Sequence, residues 1–146
     1  MLPDEKIIEL TKRWILDVVV GCNFCPFAAK VVKQQAIHYF VENGSTKQAG
    51  LQTFIRECNR LEESKQIETT IILFPNAFEK FEEYLDLVDL AESLLKKEGY
   101  EGIYQVASFH PNYLFAGTDA DDAANFTNRS VYPMLHLLRE DSIEKA

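Results

Sequence analysis

Two cysteines, Cys22 and Cys25, stand three apart in the stretch GCNFCPFA, and Pro26 follows the second directly. A thiol at a helix start meets unpaired backbone N–H groups and the positive end of the helix dipole, and both favour the thiolate. Pro26 suits a first helical position and PFAAKVVKQ can form a short helix, so Cys25 reads as its N-cap and as a candidate nucleophile. The competing reading is a buried turn cysteine acting as a small apolar residue. The CxxC spacing also permits a redox dithiol, but such motifs follow a strand, and the segment before this one reads as helix. A zinc knuckle would need a second ligand pair. His110 and His136 are the candidates, yet no second CxxC and no close His pair occurs. Cys58 falls on the apolar stripe of a helix and reads as core.

The next stretch is SFHPNYLFAG, where His110 sits at the expected end of a strand and Pro111 stops it. Residues at the carboxyl ends of strands line the usual ligand crevice of α/β sheets. A histidine there can serve as base, acid or metal ligand, or as a structural ring held by a backbone carbonyl. GTDADDAANFTNRS has calcium-like acid spacing, but counting from Asp119 puts Ala124 at the glycine position and Ser130 at the glutamate position. That excludes an EF-hand. Asn125, Asn128, Arg129 and Ser130 group neutral donors around a guanidinium, which could hold a carboxylate or phosphate on a small anionic ligand. The same residues would also serve as loop scaffolding, with the asparagines satisfying turn backbone and Arg129 paired to Asp121 or Asp122. Glu79, Glu82, Glu83, Asp86 and Asp89 form a solvated helix face.

The elements that must position these residues are legible from periodicity. Ile7, Ile8, Thr11, Trp14, Ile15, Val18 and Val19 recur at helical spacing, with Pro3 or Asp4 to open the helix and Gly21 to end it. A strand over WILDVVV is the rival reading, and its lack of alternation favours helix. AIHYFVE (36–42) reads as a strand. STKQ (45–48) is a capping box opening a helix with Leu51, Phe54, Ile55, Cys58 and Leu61 on one stripe. TTIILF (69–74) is a continuous apolar run, as for a strand buried on both faces. Asn76 and Glu79 cap a long helix with Phe78, Phe81, Leu85, Val88, Leu94 and Leu95 inward and Gly99 as its stop. GIYQVASFH (102–110) is another strand. About twenty irregular residues follow, in which Thr118 with Asp121 starts a short helix. YPMLHLLRE reads as a last strand or a short helix. The order predicts one α/β domain over 1–146: an N-terminal helix, then β-α-β-α-β, with a small mixed or parallel sheet of 3–5 strands packed with helices.

Composition sets limits on partners. The 23 acids against 15 bases give a net charge of −8, which disfavours a nucleic-acid binder that must cluster Lys and Arg. The start MLPDEKIIELTKRW mixes charges of both signs where a signal peptide needs a basic start and an apolar run. No stretch approaches the ~18 apolar residues of a membrane span. Three cysteines without a secretion signal fit a reducing cytoplasm, so the Asn125 and Asn128 sequons would not be glycosylated. Neither a P-loop nor GxGxxG occurs, so no cofactor is expected.

The segments Asn23-Phe24-Cys25-Pro26-Phe27-Ala28, Ser108-Phe109-His110-Pro111, Phe115-Ala116-Gly117, Asn128-Arg129-Ser130 and Leu135-His136-Leu137-Leu138-Arg139-Glu140 carry a resemblance over nearly the whole chain. The chain resembles a set of uncharacterised bacterial proteins grouped as domain of unknown function 1415. That resemblance implies a bacterial, cytoplasmic protein with no established activity. Members carry an aliphatic residue in place of Cys22, which weakens the dithiol reading. They also tend to have proline in place of Val131, and they continue some way beyond Ala146. The expectation is a small enzyme with a Cys25 thiolate nucleophile, His110 as base or acid, and His136 as second base or orienting partner. Asn128, Arg129 and Ser130 would hold an anionic substrate group. Two alternatives are a metal-binding protein drawing on Cys22, Cys25, His110 and His136, and a non-catalytic ligand-binding or interaction module using the same crevice.

Overall fold

A computed structural model describes residues 2–20 and 36–141. Helix α1, Asp4–Trp14, opens after Pro3 and continues as a wider π-helical segment over Ile15–Val20, so WILDVVV is helical rather than a strand. Then follow β1 (Ile37–Val41), α2 (Lys47–Glu63), β2 (Thr69–Leu73), α3 (Phe81–Lys97), β3 (Tyr104–Phe109), a short 3-10 helix (Ala123–Asn128) and β4 (Met134–Arg139). The final stretch, readable as strand or helix, is a strand.

The four strands form one mixed sheet in the order β1-β2-β4-β3. β1 and β2 are parallel, and β4 runs antiparallel to both β2 and β3. β1, β2 and β3 therefore point the same way, and their carboxyl ends meet at one edge of the sheet. A strand–helix–strand connection produces such parallel returns, and β4 fills the slot between β2 and β3.

Alternation gives each sheet face its own core. Phe54, Cys58 and Leu61 of α2 join Tyr84, Leu87, Ala91 and Leu95 of α3 on one face, against Ile72, Leu135 and Leu137. Ile7 and Trp14 of α1, with Ile15, cover the other, against Ile71, Leu73 and Met134. β2 is buried at every position, which explains its unbroken apolar sequence. Cys58 is core as expected, and burial with the nearby Glu57 and Glu62 charges pushes its thiol up to about 12. At Gly50, α2 passes so close to Phe74 and Leu87 that a Cβ would meet their side chains at 3.2 and 3.3 Å.

Several local expectations need correction. The cap of α2 is Thr46, whose hydroxyl accepts the Ala49 N–H at 3.1 Å, one residue after the expected Ser45–Gln48 box. Asn76 does not cap α3. Its amide bonds the carbonyl and side chain of Asn43 at 3.4 and 3.3 Å, and the helix begins only at Phe81. Between them Phe78 adopts φ of 60° and turns its ring into the core against Phe74. The buried stripe of α3 is Tyr84, Leu87, Val88, Ala91 and Leu95, with Phe81 and Leu94 half-buried and Leu85 exposed. The short helix expected at Thr118 starts instead at Ala123, where the Asp122 carboxylate accepts the Ala124 N–H at 2.9 Å.

Candidate functional site

The carboxyl ends of β2 and β3 open into a cleft of about 620 Å³. Phe74, Pro75, Phe78, Pro111 and Pro133 make much of its wall, while Asn76, Asn112 and Lys80 stand on its exposed rim beside Glu79 and Glu83. This is where ligand crevices of α/β sheets lie. Three prolines remove backbone N–H donors from the wall, leaving a stiff apolar floor under a rim of neutral amides.

His110 stands behind this wall, 1% exposed. Its Nδ1 accepts the Asn112 backbone N–H at 3.0 Å, so the neutral ring carries its proton on Nε2, which donates to the Phe78 carbonyl at 2.7 Å. The ring packs against Phe81 and Tyr84 of α3 at 5.4 and 5.0 Å. Burial lowers its pKa, opposed by its backbone hydrogen bonds and the Glu82 charge. Both ring nitrogens are thus committed to backbone, which explains how the left-handed Phe78 is held.

The residues grouped around Arg129 are equally committed. Arg129 donates from Nε to the Tyr113 carbonyl at 3.0 Å and from Nη2 to the Ala120 carbonyl at 2.6 Å, rather than pairing with Asp121 or Asp122. Asn128 donates to the Ser108 carbonyl at 2.9 Å and accepts the His110 N–H on its own carbonyl at 3.1 Å. Ser130 donates to the Tyr132 carbonyl at 2.5 Å. These side chains brace the segment from Tyr113 to Tyr132 against the end of β3.

His136 lies elsewhere. On β4 it faces α1's side of the sheet, opposite Ala107 and Ile71, with its ring 6.0 Å from Phe109, which in turn meets Trp14 at 5.6 Å. The Thr69 hydroxyl donates to the Leu137 carbonyl and accepts from His136 Nε2 at 2.8 Å. That leaves a lone pair on Nδ1 with no partner among the described residues. Burial pushes its pKa down to about 4. His110 packs on α3 and His136 on the opposite face, so the sheet separates the two histidines that the sequence grouped. Cys22, Cys25, the helix expected after Pro26, and Gly21 as the expected stop of the N-terminal helix all lie outside the described residues.

A family model described as "Protein of unknown function (DUF1415)" matches residues 6–146, nearly the whole chain. The chain belongs to this family. No curated protein and no solved structure matches it.

Further features of this DUF1415 protein bear on chemistry. Among the described residues, no group of three or more His, Cys, Asp or Glu could hold a metal ion, and His110 and His136 cannot share one across the sheet. No described helix is long and apolar enough to cross a membrane.

A polar seam that no sequence motif marked lies between β1 and α2. Glu57, with no exposed surface, accepts Arg60 Nε on both oxygens at 3.1 and 3.2 Å. It also lies 3.3 Å from His38 Nε2, off the line of a hydrogen bond. Burial lowers the pKa of His38 against the pull of Glu57. Opposite His38, the buried Thr70 hydroxyl has no partner among the described residues. Further along, Thr53 donates to Glu42, whose other oxygen accepts the Gly44 N–H at 2.7 Å. The available signal was the spacing of Phe54, Glu57, Cys58 and Leu61, which sets a carboxylate on the buried stripe of α2.

Proposed function

We propose that the cleft at the ends of β2 and β3 receives a small polar molecule and that the protein is a non-catalytic ligand-binding module. The observation that carries this reading is a cleft of about 620 Å³, within the usual range for small-molecule sites, walled by a residue held in a left-handed backbone. The anionic ligand expected from Arg129 gains less support, because two of that guanidinium's donors are turned to the Tyr113 and Ala120 carbonyls. One lysine against two glutamates on the rim favours an uncharged or zwitterionic ligand with amide, carbonyl or hydroxyl groups. Saturation-transfer NMR against amino acids, amides, sugars and carboxylic acids tests it, with Ala77→Trp to fill the cleft. Hits that bind the native chain and vanish in a folded Ala77→Trp variant support the reading. Hits that persist in that variant, or none at all, overturn it.

A second reading keeps the Cys25 thiolate enzyme, with His136 in place of His110 as its base. It rests on the lone pair of His136 Nδ1, unpartnered among the described residues, and on the Trp14–Phe109–His136 ring contacts, since Trp14 precedes Cys25 by eleven residues. Alkylation of Cys25 followed against pH decides it. A midpoint well below the free-thiol value of about 8.5, raised in His136→Gln, supports an activated thiol. A midpoint near 8.5 in both chains removes it.

A further inference from the structure

The imidazole of His110 ties together two segments that both wall the cleft. The β2–α3 loop comes to it through the Phe78 carbonyl, and the segment after β3 through the Asn112 N–H. The two bonds demand opposite roles of the ring nitrogens, a donor on Nε2 and an acceptor on Nδ1, and only the neutral Nε2–H tautomer supplies both. A second proton can go only to Nδ1, where it would point at the Asn112 N–H, donor against donor.

We infer that His110 is a proton-operated latch on this cleft, holding its two walls together as the neutral ring and releasing the Asn112 wall when protonated. The inference rests on the cleft being the site that matters, and it supplies that site's regulation. The groups facing the ring come from every side. Glu82, Phe81 and Tyr84 lie on α3, the Phe78 and Glu79 backbone on the loop before it, and Asn112 after β3. The Asn128 carbonyl receives the His110 N–H. Of these only the Glu82 carboxylate carries a charge that favours protonation, and burial opposes it. The Tyr84 hydroxyl is occupied, since it donates to the Met134 carbonyl at 2.6 Å and accepts the Phe109 N–H at 2.8 Å. The latch therefore stays closed at neutral pH and opens in acid.

The test is an NMR titration of the full chain without ligand, from pH 8 to 5, following the His110 ring and the amides of Phe78, Glu79 and Asn112. The expected result is a His110 midpoint below 6.5, the same midpoint at Asn112, and a protection factor of the Asn112 amide (its exchange relative to the intrinsic rate at each pH) lower by on the order of tenfold below it, as one hydrogen bond is lost. In His110→Gln the Asn112 midpoint disappears. A ring that titrates at its ordinary value without moving Asn112, or an Asn112 midpoint that survives in His110→Gln, overturns the latch. Should that variant not fold, Glu82→Gln carries the same test. It lowers the His110 and Asn112 midpoints together if the latch is real, and separates them if it is not. No ligand enters the titration, so a coupled midpoint alongside an empty binding screen would keep the latch and discard the binding reading.

Discussion

Asn125 has no exposed surface, yet its side chain is fully employed: Oδ1 accepts the Phe115 N–H at 2.7 Å, and Nδ2 donates to Thr118 and to the Asp119 carbonyl, each at 3.0 Å. Single polar side chains do the work of secondary structure throughout this half of the molecule. Tyr84 is the clearest case, because its hydroxyl bridges the Phe109 N–H and the Met134 carbonyl at the end of the β3–β4 pairing. Tyr84→Phe strands both groups and is expected to cost about 2 kcal/mol in urea unfolding. Thr70 works in the opposite direction. Its buried hydroxyl lacks a partner among the described residues, so Thr70→Val keeps the shape, removes an unpaid desolvation and should stabilise by about 1 kcal/mol in the same assay.

At the scale of elements, the junction between α2 and the sheet rests on Arg139. From the end of β4 its guanidinium donates to the carbonyls of Leu61, Ser64 and Ile67, at 2.7 to 3.2 Å, closing the C-terminus of α2. A lysine cannot reproduce that fork, so Arg139→Lys should lose about 2 kcal/mol and speed amide exchange in the last turn of α2. Most elements were legible in the sequence, because periods of 3.6 and unbroken apolar runs survive folding: α1, α2 and the buried β2 sit where their patterns put them. The start of α3 was not. Asn76 has the chemistry of a cap, but a partner 33 residues away in sequence, Asn43, takes its amide. The site was half legible for the same reason. Position marked His110 as a residue at the end of a strand, and residue type marked Asn128 as a donor beside Arg129, whereas their use on backbone depended on a chain path that spacing alone does not encode.

For the whole molecule, all three histidines have pKa values lowered by burial. The unfolded chain takes up protons near 6.5 while the folded chain resists them, so acid favours unfolding. Stability should be level above about pH 7.5 and fall progressively below about 6.5, the His136 share spread down to about 4. Urea midpoints at pH 8, 6.5 and 5 measure it, and His136→Gln should flatten the fall. A midpoint that rises on acidification would contradict the burial of these rings.

The placement of β4 between β2 and β3 governs how the protein can be made. β2 pairs with a strand about seventy residues further along the chain, Thr69 opposite Leu138, and among the described residues β3 has no neighbour in the sheet other than β4. Until residue 139 has left the ribosome, the growing chain holds a β1–β2 pair with an open apolar edge and a β3 with nowhere to dock. The sheet therefore closes in one late step, slow in the way of long-range strand pairing. A nascent chain stalled before Met134 should be captured by chaperones and cut by proteases, while one carrying β4 clear of the exit tunnel should resist both.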